Sequence, residues 1–183
     1  KGTKAALLEA AMPVVEILDL GGPFIGSGVG YDSFESMRQI CELVVAKGRR
    51  HIGYVDFGDR VQHRFSDKRR AFEKTLRDHG LRSDLIFTCP NASGLDGGRL
   101  ALSELLVQDP KLDALVCASD VFAAGAIFDC ARRGWNVPER MAITGFGDFE
   151  LSREIVPGIT TVRVNALEIG NKAAELIVEG CRQ

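Results

Sequence analysis

The sequence predicts an α/β fold with doubly wound parallel sheets, on three observations. Short apolar runs of strand length alternate with amphipathic helical stretches from Ile52 to Gly145, four runs with three helices between them. The helices carry their own stop signals at Gly48, Asp109-Pro110 and Gly134. A polar loop follows the C-terminal end of each run, and right-handed crossovers bring those ends to one edge, where open α/β sheets bind ligands.

In chain order, Thr3 to Ala11 has the pattern of a helix tail, and Pro13 delivers Val14 to Leu18, a run of strand length. A lone helix and strand have nothing upstream to pair with, so the chain is expected to continue before Lys1. Gly21 to Gly30 reads as a flexible loop. Its Gly26, Gly28 and Gly30 miss the G-x-G-x-x-G phosphate motif, because position 31 is Tyr, and no G-K-[ST] follows. Asp32 and Glu35 have capping-box spacing ahead of the stripe Phe34, Met37, Ile40, Cys41, Val44 and Val45, and Gly48 closes that helix. Arg49, Arg50 and His51 make a polar turn. Strand Ile52 to Val55 then leads to helix Ser66 to His79, strand Leu85 to Phe87 to helix Gly97 to Gln108, and strand Leu115 to Ala118 to helix Val121 to Arg133. Strand Ala142 to Gly145 follows. Pro157 to Val162 reads as a return crossover, after which Asn165 caps a last amphipathic helix, Ala166 to Val178, with Glu168 in capping-box position.

A chain of 183 residues can bury a full core as one domain or as two small lobes. Its 45% hydrophobic and 26% charged residues, with net charge -2, describe a globular protein without the basic stripe that displaces counterions from a duplex. Any contact with DNA has to come from another segment. The five cysteines, Cys41, Cys89, Cys117, Cys130 and Cys181, show no C-x-x-C spacing, which points to a reducing compartment. Of these, Cys41, Cys117 and Cys130 sit in apolar runs and pack as small hydrophobes. No apolar run approaches the roughly 20 residues of a membrane span, and the N-terminus has no signal-peptide pattern. His51, His63 and His79 lack metal-ligand spacing and G-x-S-x-G is absent, so the sequence predicts no metal, no cofactor and no catalysis. Trp135 reads as core or interface packing, or as a stacking platform.

Four loops would line the ligand edge. They are 56–65, with Asp59, Arg60, Gln62, His63 and Arg64; 88–94; Ser119-Asp120; and Phe146 to Phe149. Donors, acceptors and two aromatics suit a small polyhydroxylated ligand. Ser119 or Asp120 would also cap the helix opening at Val121, and a cap can face ligand as well. Arg60, Arg64 and Lys68 stand four apart and share a face on a helical turn, either a solvated basic face or one that holds ligand. Asp19, at the end of the first strand, is a further ligand candidate or simply the strand's end.

Several motifs then fall in one order: Val29-Gly30-Tyr31-Asp32, Ala118-Ser119-Asp120 at a helix start, Val137-Pro138, Gly145-Phe146, and Pro157-Gly158-Ile159-Thr160-Thr161. In this the chain resembles the effector-binding half of LacI/GalR-family transcriptional regulators over nearly its whole length. The resemblance implies a two-lobed periplasmic-binding-protein-like fold with the N-terminal lobe incomplete. Residues 1–48 would be the partial N-terminal lobe, 49–161 the C-terminal lobe and 162–183 the return segment. It further implies a cytoplasmic, homodimeric bacterial repressor, not an enzyme and not membrane-bound. A small-molecule effector between the lobes would modulate operator binding by a helix-turn-helix headpiece absent from this chain.

The family's ligand-contacting position at the A-S-D motif maps to Ser119 or Asp120. Its ligand-holding arginine, ahead of a Gly-Phe pair that is Ala71-Phe72 here, falls on Lys68, with an earlier one on Arg64; a slip by one would reach Arg69. Members that bind neutral sugars or nucleobases usually read G-(F/Y)-D after the last strand. Here Gly147 stands at the aspartate position, and Gly145-Phe146-Gly147-Asp148-Phe149-Glu150 resembles the gluconate-repressor branch. Losing that carboxylate while keeping Arg64 and Lys68 favours an anionic effector, a sugar acid such as gluconate or a phosphorylated relative, with Asp148 and Phe149 nearby. The alternatives are a periplasmic sugar-binding protein of a transporter and a doubly wound enzyme.

Overall fold

The computed structural model describes residues 3–9, 12–21, 24–57, 63–89 and 94–182, and only the backbone of 3, 4 and 63–65. Its elements are α1 (Thr3–Glu9), β1 (Val15–Asp19), β2 (Ser27–Tyr31), α2 (Ser33–Ala46), β3 (Ile52–Asp56), α3 (His63–Asp78) and β4 (Ile86–Thr88). There follow α4 (Gly94–Gln108), β5 (Ala114–Cys117), α5 (Asp120–Arg132), β6 (Ala142–Gly147), α6 (Leu151–Glu154), β7 (Thr160–Arg163) and α7 (Ala166–Gly180). By packing, the chain groups as two units, 1–33 with 165–183, and 34–164. The packing thus places α2 from Phe34 onward with the larger unit.

The larger unit is built on a five-stranded, all-parallel sheet in the order β4-β3-β5-β6-β7. Strands β3 and β5 are buried along their whole length, as a parallel strand covered by helices on both faces must be. On one face Tyr54 of β3 stacks on Phe72 of α3, with ring centroids 5.0 Å apart. The neighbouring position, Gly53, faces Leu105 of α4 and Leu112 on the other side. That second face holds the larger core cluster, in which Leu102, Leu115, Phe122, Ile127 and Met141 meet. In the smaller unit, α7 packs on β1 and β2. Asn165 caps α7 as expected, accepting from the Glu168 amide at 3.3 Å while its own amide donates to the Glu168 carboxylate at 2.7 Å.

Two segments differ from their reading in the sequence. The glycine-rich stretch 21–30 contains the start of a strand, β2, which pairs with β1 in parallel from Val15↔Ser27 to Asp19↔Tyr31. A Ser-Gly-Val-Gly-Tyr strand shows no apolar alternation, so the pattern that reveals strands is absent from it. The return crossover is itself part of the sheet: β7 pairs with β6 from Thr144↔Thr160 to Gly147↔Arg163.

Cys41, Cys89, Cys117 and Cys130 are buried and Cys181 is exposed. Burial pushes the Cys41 and Cys117 thiols up, and that of Cys130 to about 11. A maleimide titration of the native protein is therefore expected to modify Cys181 rapidly and the four others only on unfolding; early loss of a second thiol would contradict this packing.

On α2, Arg38 donates to the Glu35 carboxylate at 2.8 and 2.7 Å and, with Gln39, holds its pKa down from 4.5 to about 2. A depressed carboxyl stabilises the fold above its unfolded pKa and stops doing so as pH falls through the folded value. The melting temperatures of wild type and Arg38→Met should thus differ slightly at neutral pH and converge between pH 4.5 and about 2. The difference is small because both side chains are exposed.

Candidate functional site

In the order β4-β3-β5-β6-β7 the direction of winding reverses between β3 and β5, so the crevice of an open sheet lies beyond their C-terminal ends. Asp56, 2% exposed, closes β3, and Ala118, Ser119 and Asp120 follow β5. Lys68 reaches this edge from α3. It is only 3% exposed; its ammonium donates to the Ala118 carbonyl at 3.4 Å and lies 3.4 Å from the centroid of the Phe146 ring. The ring's quadrupole and a strand-end carbonyl together offset part of the cost of taking that charge out of water. Lys68 accordingly does not belong to a solvated basic face. Arg69 does face outward, pairing with Glu73 at 3.1 Å. The side chain of Arg64 and residues 58–62 and 90–93, with Asp59, Arg60 and Gln62 among them, lie outside the described residues.

Ser119 and Asp120 divide the two roles read for them. Ser119 is the cap: its backbone is extended and its hydroxyl accepts from the Val121 amide at 3.4 Å. Asp120 is fully buried and turned inward, its Oδ2 accepting from the Phe149 amide at 2.8 Å and its Oδ1 from the Thr161 hydroxyl at 2.5 Å. This approach requires Gly145, where a Cβ would stand 2.1 Å from Asp120 Oδ1. Asp120 therefore fixes the loop after β6 from inside.

That loop carries Asp148 and Phe149. Asp148 takes a positive φ of 55° and follows Gly147 at φ 132°. Its carboxylate accepts from Ser152 at 3.1 Å, from Arg153 at 3.2 and 2.7 Å, and from Arg163, which hold its pKa well below the usual carboxylate range. Its hydrogen-bonding capacity is taken up within the protein, and its side chain is 8% exposed. Phe149 is 52% exposed beside Gly147, at which a Cβ would meet its ring at 3.0 Å. An L-residue at position 147 would therefore be strained by its backbone angle as well as crowded by the ring. Gly147→Asp is expected to destabilise the protein by about 1–3 kcal/mol and to displace Phe149, which denaturant unfolding and a crystal structure of the variant would register; an unperturbed loop would contradict this geometry.

Two other candidates have local roles within their own units. Asp19 belongs to the smaller unit, where its Oδ1 accepts from the Gly21 amide at 3.2 Å, a turn that ends β1. Trp135 packs against the core cluster with the Arg140 and Arg133 guanidiniums 4.4 and 5.4 Å from its ring, so packing is the role the structure gives it. Thr161, Arg153 and Arg163 were not singled out in the sequence; the Thr-Thr pair of the return segment was the one signal for them. Among the described residues no cluster of three or more His, Cys, Asp or Glu could hold a metal ion, and no helix is long and apolar enough to cross a membrane.

Among the described residues the strand ends bring together a buried ammonium, a capped helix start, a half-exposed ring and a braced loop. Residues 42–183 match the model of the periplasmic binding protein-like domain family. The chain belongs to this family, in the form found in LacI-type transcriptional regulators. It is 32% identical over 173 residues to the HTH-type transcriptional regulator GntR of Escherichia coli K12, covering 94% of this chain and 51% of that protein. A solved LacI family transcriptional regulator from Silicibacter pomeroyi superposes with a TM-score of 0.90 at 30% identity, covering 97% of this chain and 66% of that one. The CelR–cellobiose complex superposes with a TM-score of 0.81 at 26% identity, covering 93% and 53%. The chain spans about half the length of the curated relatives it matches. These relatives are regulators, which agrees with the expected absence of catalysis and does not favour a transporter's binding protein.

Proposed function

We propose that the chain is the effector-sensing domain of a bacterial LacI-type repressor and that its effector is a sugar acid of the gluconate type. The observation that carries the choice of an acid is the state of the loop after β6. Position 147 has no side chain, and the Asp148 carboxylate next to it is neutralised by Arg153 and Arg163. Lys68 supplies a cation at the same sheet edge. A ligand carboxylate meets less repulsion there than where a free aspartate waits to bind hydroxyls. Ser119, Phe149, Lys68 and Arg64 are the ligand-contacting residues in this reading, with Asp19 a further candidate, while Asp120 and Asp148 shape the loop.

The whole regulator would act in the cytoplasm as a homodimer, with the operator held by a separate helix-turn-helix headpiece. The lobes would follow the boundaries 1–48, 49–161 and 162–183. Effector would act through different affinities for two arrangements of the domain, since equal affinity shifts nothing. Isothermal calorimetry of the full gene product with gluconate, 6-phosphogluconate and glucose tests the ligand. Saturable binding of an acid, weakened about tenfold or more in Lys68→Met by loss of a charge-assisted contact, is expected. Tighter binding of glucose than of either acid would overturn the anionic reading.

A further inference from the structure

The loop after β6 is fastened to β7 at several points. The Asp148 amide donates to Thr161 Oγ1 at 3.4 Å, that hydroxyl donates to Asp120 Oδ1 at 2.5 Å, and the Phe149 amide donates to Asp120 Oδ2 at 2.8 Å. These bonds close a ring through the loop, β7 and the start of α5. A second set lies outside it: Arg163 donates to the Asp148 carboxylate, and the Val164 amide donates to the Gly147 carbonyl at 3.4 Å. Arg163 is paired in register with Gly147, and the chain leaves the larger unit after Val164. Two of the residues that hold the candidate ligand loop, Thr161 and Arg163, are therefore on the strand by which the chain exits.

We propose that Thr161 and Arg163 are positioning residues that join the loop 147–149 to the exit strand β7, so that a ligand favouring one loop position also favours one position of that strand. The inference rests on the reading of this loop as part of the effector site. Two features carry it. Asp148 occupies a backbone region that few residues other than glycine adopt, so its conformation depends on capture of its amide and carboxylate by partners. Those partners differ in kind: Thr161 is inside the ring, whereas Arg163 is 73% exposed and its bond can break into water while Arg153 and Ser152 still hold the buried Asp148 carboxylate. A fixed inner ring keeps the loop and β7 together, while the outer bond can release and re-engage the exit end of the strand at Arg163.

The test uses the full gene product with Arg163→Gln, Arg163→Lys and Thr161→Val, followed by hydrogen exchange. Without ligand, the amides of Asp148 and Phe149 are expected to exchange roughly fivefold faster in Arg163→Gln and tenfold faster in Thr161→Val, with Arg163→Lys close to wild type. With gluconate, wild type should change its exchange at 164–166, and Arg163→Gln should lose that response while its gluconate affinity changes less than about fivefold. Unchanged exchange at 148–149 in both variants, or a response at 164–166 that survives in Arg163→Gln, would overturn the proposal. If wild type does not bind gluconate, the ligand reading fails, and the ligand-free exchange still decides whether these residues hold the loop.

Discussion

Asp120→Ala is expected to cost about 3 kcal/mol of stability, and Asp120→Asn about 1 kcal/mol. The alanine variant removes a fully buried carboxylate that accepts the Phe149 amide and the Thr161 hydroxyl, leaving two donors without partners. The asparagine variant keeps the shape and can turn its carbonyl oxygen to the Phe149 amide. Its NH₂ then faces Thr161, whose hydroxyl has lone pairs to accept with. Chemical denaturation at neutral pH measures both. Equal losses in the two variants would show that the site is governed by packing and not by hydrogen-bond sense. Because the ring through Asp120 shapes the loop, gluconate affinity should fall with stability in the alanine variant and largely recover in the asparagine one.

The second large effect is expected where α4 and α5 cross. A Cβ at Gly98 would stand 1.9 Å from the Phe122 carbonyl oxygen, and one at Gly125 1.9 Å from that of Leu95. Both obstacles are backbone and cannot rotate away. Either alanine forces apart two helices whose inner faces, with Leu102, Leu105, Phe122 and Ala126, make the main core of the larger unit. Gly98→Ala and Gly125→Ala are therefore expected to destabilise by about 3 kcal/mol each, lowering the melting temperature by roughly 10 °C. Gly170→Ala on α7 serves as the control, since nothing lies within 4 Å of its missing Cβ. There the higher helix propensity of alanine should stabilise by about 0.5–1 kcal/mol. Opposite signs for the same chemical change would establish close helix packing as the cause.

The alternation of strand and helix was legible because the buried parallel strands β3, β5 and β6 are themselves apolar runs, and the helices between them announce their ends. The cap at Ser119 and the cap at Asn165 could be read for the same reason: a short polar side chain before an amphipathic run has a local job. Strand β2 was not legible, because two of its five residues are glycines that let neighbours approach and contribute no apolar signal. The burial of Lys68 escaped too. A lysine four residues from an arginine reads as surface, and only the position of Phe146, far along the chain, supplies the ring that makes burial tolerable. Asp120 was picked out because the family's ligand-contacting position maps to Ser119 or Asp120, and Asp148 because it follows the position where Gly147 replaces the family's aspartate. That their partners include Thr161 and Arg163 is a property of the sheet order that sets β7 beside β6.

The central claim is that a sugar acid binds at the C-terminal ends of β3, β5 and β6. The most direct measurement is the crystal structure of the full gene product grown with gluconate. The account predicts the gluconate carboxylate on the Lys68 side of the edge, its hydroxyls against Ser119 and the loop 147–149, and the Asp148–Arg163 pair beside it. Gluconate bound away from these strand ends, or a neutral sugar occupying them in preference when both are supplied, would contradict it.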